Sequence, residues 1–231
     1  MIQSLEIDQP GRIASAMSIN HLSQVELPAV IRELKGRDSQ LAAIIDQIGP
    51  CHLQPGAQGL SPLVYSIIGQ QLSGHAARAI RSRLQALFGN DGIKPEQLAK
   101  TSDEELRRTG ISWAKARCLR SLADHVLSGS IDFDEFESRD DEGIIRTLTQ
   151  VKGIGRWTAE MYLFSMGRLD VLPIDDQSIR TAMREVYGLD GDDFETQACQ
   201  IADEWRPYRS VACWYLYAHL DESRERGARG K

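Results

Sequence analysis

Apolar residues return every three or four positions along most of this chain, the spacing that lays a single stripe on an α-helix. The pattern is clear over residues 40–48, 76–88, 114–127 and 194–205, and helices are also predicted over 141–149, 156–166 and 177–187. Their punctuation agrees. Ser61 with Pro62 reads as an N-cap and first-turn proline, Ser102 with Glu105 as a capping box, and Gly89, Gly110, Gly129 and Gly167 as helix ends. Sustained two-residue alternation is missing, as are internal repeats and low-complexity linkers. The predicted fold class is therefore all-α, with two helical lobes sharing one cleft.

At 231 residues and 42% hydrophobic content the chain can bury a substantial core. Residues 1–20 include Glu6 and Asp8 and hold no sustained apolar run, so they read as neither a signal peptide nor a membrane span. No membrane association or secretion is expected; a mobile leader and a docked one both remain open. Cys51, Cys118, Cys199 and Cys213 are scattered, which argues against a cluster-binding motif and fits reduced thiols in a cytosol. The histidines likewise form no compact zinc pattern.

The net charge of −6 speaks against a nucleic-acid partner, but charge is unevenly spread. Arg107, Arg108, Lys115, Arg117 and Arg120 occupy a stretch without acids, and Arg78, Arg81 and Arg83 form a second cluster. Acids concentrate over 132–142. Such an arrangement permits a basic face, although a basic run also suits an ordinary solvated helix.

Gly153 and Gly155 flank Ile154 between two of the predicted helices. Glycine tolerates a tight reversal. Lacking side chains, this pair lets a ligand approach the N–H groups that open the second helix, where the dipole favours an anion. A nucleic-acid phosphate fits, with Lys152 adding a salt-sensitive charge. By itself a short glycine motif describes equally well a corner that only turns. Asp175 and Asp176 precede the helix at 177–187, where an aspartate reads as an N-cap as readily as a catalyst.

The run Val151-Lys152-Gly153-Ile154-Gly155-Arg156-Trp157-Thr158-Ala159, followed by Pro173-Ile174-Asp175-Asp176, resembles the helix-hairpin-helix DNA glycosylase superfamily. Three further blocks agree with its 3-methyladenine DNA glycosylase II branch. They are Ser66 to Ser73, Leu106 to Ser112 with Lys115 and Ala116, and Trp205 to Ala212. The similarity runs from about Leu60 to about Leu220.

The resemblance implies a monofunctional DNA glycosylase that excises alkylated purines of the 3-methyladenine type from duplex DNA, the first step of base excision repair. Asp176 takes the catalytic place, with Asp175 the less favoured neighbour. Trp157 and Tyr217 match aromatic positions of the base pocket, though core packing is the commoner fate of a helical aromatic. Implied DNA contacts are Gly153, Gly155, Lys152, Thr158, Gln71, Ser73 and Arg209. Gln71 stands where the branch can carry an apolar wedge that enters the gap left by an extruded base. Tyr65 and Trp113 can also approach the cleft. Trp157 occupies the place at which strand-nicking members carry a Schiff-base lysine, so lyase chemistry loses its nucleophile.

No cofactor is implied beyond a monovalent cation, Na+ or K+, held by the backbone carbonyls of Thr149, Val151 and Ile154. The expected partner is double-stranded DNA containing damaged bases, met by a monomer without an obligate protein partner, in the cytoplasm with the chromosome. The expected first lobe combines 21–73 with 188–231. The second spans 74–187 and carries the helix-hairpin-helix at about 141–167, and 1–20 forms a leader. Three other readings share these residues: a non-enzymatic helix-hairpin-helix DNA-binding module, a bifunctional lyase, and a glycosylase of different base specificity.

Overall fold

The computed structural model describes residues 20–70, 72, 74–89 and 91–229; the expected leader up to residue 19 and the candidate contacts Gln71 and Ser73 lie outside the described residues. The chain runs through α1 (Leu27–Arg37), α2 (Ser39–Ile48), α3 (Leu60–Gly69), α4 (Gly74–Phe88), α5 (Pro95–Lys100) and α6 (Asp103–Arg108). It continues through α7 (Trp113–Leu127), α8 (Asp141–Leu148), α9 (Arg156–Met166), α10 (Gln177–Tyr187), α11 (Phe194–Asp203) and α12 (Arg209–Arg229). Among the described residues the one extended pairing is an isolated bridge between His21 and Arg168, so the all-α class holds. No helix there is long and apolar enough to cross a membrane.

Two hydrophobic cores form. One gathers α3 to α9 and the other gathers α1, α2 and α10 to α12, with Phe164 packed against both. This division corrects the lobes expected from the sequence. Helix α3 buries Leu63, Val64, Ile67 and Ile68 in the core of α4, α7 and α9, not with α1 and α2. Helix α10 buries Ile179, Ala182 and Met183 against α2 and α12, so it leaves the lobe of the hairpin. Periodicity reveals that a helix has an apolar stripe; it does not reveal which partner covers that stripe.

Local signals explain several boundaries. The Ser102 hydroxyl and Glu105 carboxylate form the expected capping box at α6. Gly167 ends α9 in the left-handed region at φ 91°, a conformation that suits glycine. Ser61 corrects its reading: the cap position falls two residues earlier, at Gly59, and the Ser61 hydroxyl instead accepts the Ile93 N–H at 2.8 Å. In the other lobe Asp38 caps α2 through Oδ1, while its Oδ2 accepts the Tyr187 hydroxyl at 2.7 Å and the Trp205 indole at 2.8 Å.

The extended segment after α9 sets the path of the chain into α10. Leu22 donates to the Gly167 carbonyl at 2.7 Å and Leu169 to the Asn20 carbonyl at 3.0 Å. Buried Ser210 donates its hydroxyl to the Arg168 carbonyl at 2.6 Å and accepts the Val171 N–H at 3.1 Å. The Arg168 guanidinium meanwhile donates to the Phe136 and Arg139 carbonyls of the hairpin lobe, so both lobes hold residues 167–171 and the loop that leads to Asp176 starts from a fixed point.

Candidate active site and nucleic-acid interface

Helices α8 and α9 pack against each other around the glycine corner. The two glycines are required for different reasons. Gly153 has φ 101°, and a Cβ added there would stand 3.0 Å from Cys118 Cβ and Sγ on α7, so both conformation and packing demand glycine. Gly155 has an ordinary φ of −90°, and a Cβ there would meet nothing within 4 Å. The protein itself does not need a glycine at 155; a ligand approaching the backbone would. Gly155 is also the N-cap of α9 and supplies no side-chain cap, so the first N–H groups of that helix have no capping side-chain acceptor. Lys152 is exposed on the same turn.

Arg209 is a correction among the candidate DNA contacts, and Thr158 is one for its side chain alone, its backbone N–H remaining in the open first turn of α9. The Thr158 side chain is 2% exposed and accepts the Gln70 amide at 2.6 Å, because its position in the first turn of α9 faces the end of α3. Arg209, in the first turn of α12, is spent on Asp170: Nε donates to Oδ1 at 2.6 Å, and Nη2 donates to the backbone carbonyl at 2.6 Å. The basic stretch is thinned in the same way. Arg120 binds Asp103 at 2.6 Å, and Arg83 donates to the Thr109 carbonyl at 3.1 Å, while Arg78, Arg108 and Arg117 stay exposed.

Sequence reasoning passed over the device that joins these parts. Lys115 Nζ donates to the Ile68 carbonyl at 2.8 Å and the Gln70 carbonyl at 2.7 Å, closing the C-terminus of α3 with a cation. Burial of that amine pulls its pKa below the ordinary lysine value. Gln70 then reaches Thr158 on α9, so α7, α3 and the hairpin share one hydrogen-bonded corner. Both residues stood in motif blocks, but nothing in the sequence links a lysine at 115 to carbonyls nearly fifty positions earlier.

Asp176 is at once an N-cap and a directed acid. Its Oδ1 accepts the N–H groups of Ser178 at 2.9 Å and Ile179 at 3.2 Å, and its Oδ2 accepts the Trp157 indole N–H at 3.1 Å. Three donors therefore fix a half-buried carboxylate in one orientation, whereas Asp175 is exposed. Tyr217 from α12 lies against the same group. Burial first, and then the Asp176 charge, hold its phenol well above the usual tyrosine value. Its hydroxyl reaches Met161 Sδ at 3.7 Å, and its ring packs edge-on against Phe164 at 5.9 Å.

Glu160, one turn after Trp157, also escaped the sequence reading. It is 5% exposed, burial pushes its carboxyl up to about 7, and Arg156 beside it pulls the other way at 2.8 Å. It lines a cavity of about 620 Å³ together with Arg156, Asp170 and Arg209 and a floor of aliphatic side chains that includes Ile145, Leu163 and Leu172. Asp176, Trp157 and Tyr217 do not line that cavity, whose charges are largely matched in arginine–carboxylate pairs. Among the described residues no His, Cys, Asp and Glu cluster could hold a metal ion.

The chain belongs to the HhH-GPD superfamily of base excision DNA repair proteins: that family's model matches residues 64–207, a span holding the hairpin, Trp157 and Asp176. DNA-3-methyladenine glycosylase 1 of Schizosaccharomyces pombe is 34% identical over 190 residues, which cover 80% of this chain and 83% of that protein. A solved structure of a 3-methyladenine DNA glycosylase from the same organism, in complex with abasic DNA, matches with a TM-score of 0.75 at 31% identity. It covers 82% of this chain and 95% of that one. DNA-3-methyladenine glycosidase from Bacillus halodurans matches with a TM-score of 0.70 at 39% identity, over 81% and 87% of the two chains.

Proposed function

We propose that this protein is a monofunctional DNA glycosylase that hydrolyses the N-glycosidic bond of alkylated purines, 3-methyladenine among them, in duplex DNA. The observation that carries the reading is Asp176, held by two backbone N–H groups and one indole beside Tyr217. The bond between base and sugar is out of reach inside a stacked duplex, so the damaged nucleotide is everted, and weakened pairing lowers the cost. As the bond breaks, positive charge grows on the sugar, and a carboxylate fixed in advance stabilises it. The three donors keep Asp176 from turning away during that step.

A purine methylated on N3 or N7 already carries positive charge and leaves neutral, so no strong acid is required. The aromatic faces of Trp157 and Tyr217 suit such a cation. Position 157 offers an indole in place of an amine, which favours water over an imine route and leaves an abasic site as product. The glycine corner holds a backbone phosphate. The carbonyls of Thr149, Val151 and Ile154 suit a monovalent cation that would support that contact without entering the reaction; the Val151 carbonyl already accepts the Ile154 N–H at 3.0 Å.

The test is a panel of duplexes containing 3-methyladenine, 7-methylguanine, ethenoadenine, hypoxanthine or uracil, with released base measured before alkali. Release of the methylated purines without strand scission or borohydride trapping is expected. Binding without release would leave only a DNA-binding module, and scission without alkali would establish a lyase.

A further inference from the structure

We propose that the cavity behind the Asp176 loop is a second binding site, which takes a small alkylammonium, an amine cation on a short aliphatic stem, with Glu160 accepting its N–H. The cavity lies between the two cores and is separate from the candidate catalytic acid. Arg156, Glu160 and Leu163 form one stripe of α9 and line it, whereas Trp157 and Met161 form the next stripe and meet Asp176 and Tyr217. Val171, Leu172 and Ile174, in the segment that runs on to Asp176, close the cavity on that side.

The Glu160 side chain is buried, yet one of its oxygens is unused. Oε1 accepts Arg156 Nε at 2.8 Å, while Oε2 is shut off from solvent with no hydrogen-bond partner among the described residues. An acceptor left that way is costly, and a donor that enters the cavity recovers the loss. Burial accordingly holds this carboxyl up at about 7 against the pull of Arg156. Asp141 repeats the pattern: its Oδ1 is ion-paired with Arg168 at 3.3 Å but is buried and receives no hydrogen bond among the described residues. Charge selects a cation. On the side built by α8, its cap and α9, Asp140, Asp141, Glu142 and Glu160 are met by two arginines, Arg156 and Arg168. Arginine is in excess only across the cavity, where Arg206 and Arg209 share Asp170. The floor selects the stem, because Ile145, Leu163 and Leu172 offer aliphatic surface to methylenes. A bare metal ion does not suit the site, since among the described residues no three acidic, His or Cys side chains converge on one point.

The experiment titrates the full-length protein, free of DNA, with n-butylamine and 1,4-diaminobutane by isothermal calorimetry. The comparisons are n-butanol, which has the stem without the charge, and tetramethylammonium, which has the charge without an N–H. One saturable site for the amines is expected, and none for the other two. Glu160→Gln keeps the shape of the side chain and should weaken amine binding about tenfold or more, the worth of one hydrogen bond to a charged group. Cys199→Trp, which fills the cavity from α11 and leaves Glu160 in place, should abolish binding. Asp221→Asn, at an exposed acid on α12, should leave it unchanged, which separates the site from general attraction to an acidic protein. No saturable amine binding, as for a cavity that holds only water, would overturn the proposal. So would equal affinity in Glu160→Gln or Cys199→Trp and wild type, an equal loss in Asp221→Asn, or binding of n-butanol or tetramethylammonium as tight as that of the amines. Each of these results would leave the glycosylase reading untouched.

Discussion

The Trp157 indole N–H donates to Oδ2 of Asp176 at 3.1 Å, while the other oxygen of the same carboxylate caps α10. The tryptophan therefore has two separable properties, a flat face for a cationic base and a donor that aims the acid. Phenylalanine keeps the first and removes the second. Trp157→Phe is expected to slow single-turnover base release about 10- to 100-fold, the worth of one hydrogen bond to a charged group. Affinity for an abasic-analogue duplex should change little. A variant that loses affinity but releases base at the wild-type rate once saturated would contradict this assignment.

The two hairpin glycines should separate in the same way. Gly153→Ala forces a side chain into a left-handed conformation and against Cys118, so thermal or denaturant unfolding should show a loss of about 1–3 kcal/mol. Gly155→Ala meets open space at an ordinary φ and should stay within about 0.5 kcal/mol of wild type. Its duplex binding should fall, because the methyl occupies the approach to the backbone. Equal loss of stability in both variants would mean that Gly155 serves only the turn.

Gln70 and Thr158 join the end of α3 to the hairpin at 2.6 Å. A double-mutant cycle with Gln70→Ala and Thr158→Val is expected to show a coupling of about 0.5–1.5 kcal/mol in stability. Additive effects would show that the hydrogen bond contributes nothing to the corner.

Glu160 gives a pH signature whose sign is the reverse of an ordinary ion-paired acid. Burial raises its folded-state value to about 7, so between the ordinary carboxylate range and pH 7 the folded protein binds more protons than the unfolded chain. Its contribution to stability is therefore fully present below the ordinary glutamate range and declines as pH rises to about 7, with a total on the order of 1–3 kcal/mol. Glu160→Gln carries no titrating group. Relative to wild type it should gain stability between pH 5 and pH 8, read as a difference in Tm. Parallel Tm profiles for the two proteins would exclude Glu160 as the titrating group.

Much of the fold was legible because helical periodicity and caps are local. Helices at Arg156–Met166 and Gln177–Tyr187 fall at the predicted bounds, and the Ser102 box forms as read. The misreadings involve partners distant in sequence. Ser61 looked like a cap because Pro62 follows it, yet its hydroxyl is taken by Ile93 across the lobe. Arg209 looked free until Asp170 came beside it. The sequence marked Asp176 and Trp157 through a motif, but their hydrogen bond depends on how residues 167–176 cross between the cores. Lys115 on the α3 carbonyls and the burial of Glu160 are likewise products of packing, which no single-chain pattern displays.

The most direct test compares Asp176→Asn and Asp175→Asn in a single-turnover assay of 3-methyladenine release. Asparagine retains the capping geometry at 176, so folding and duplex binding should persist while the reacting charge is lost. The expected result is abolished release in Asp176→Asn and near wild-type release in Asp175→Asn. Normal release by Asp176→Asn, or loss in Asp175→Asn alone, would contradict the central claim.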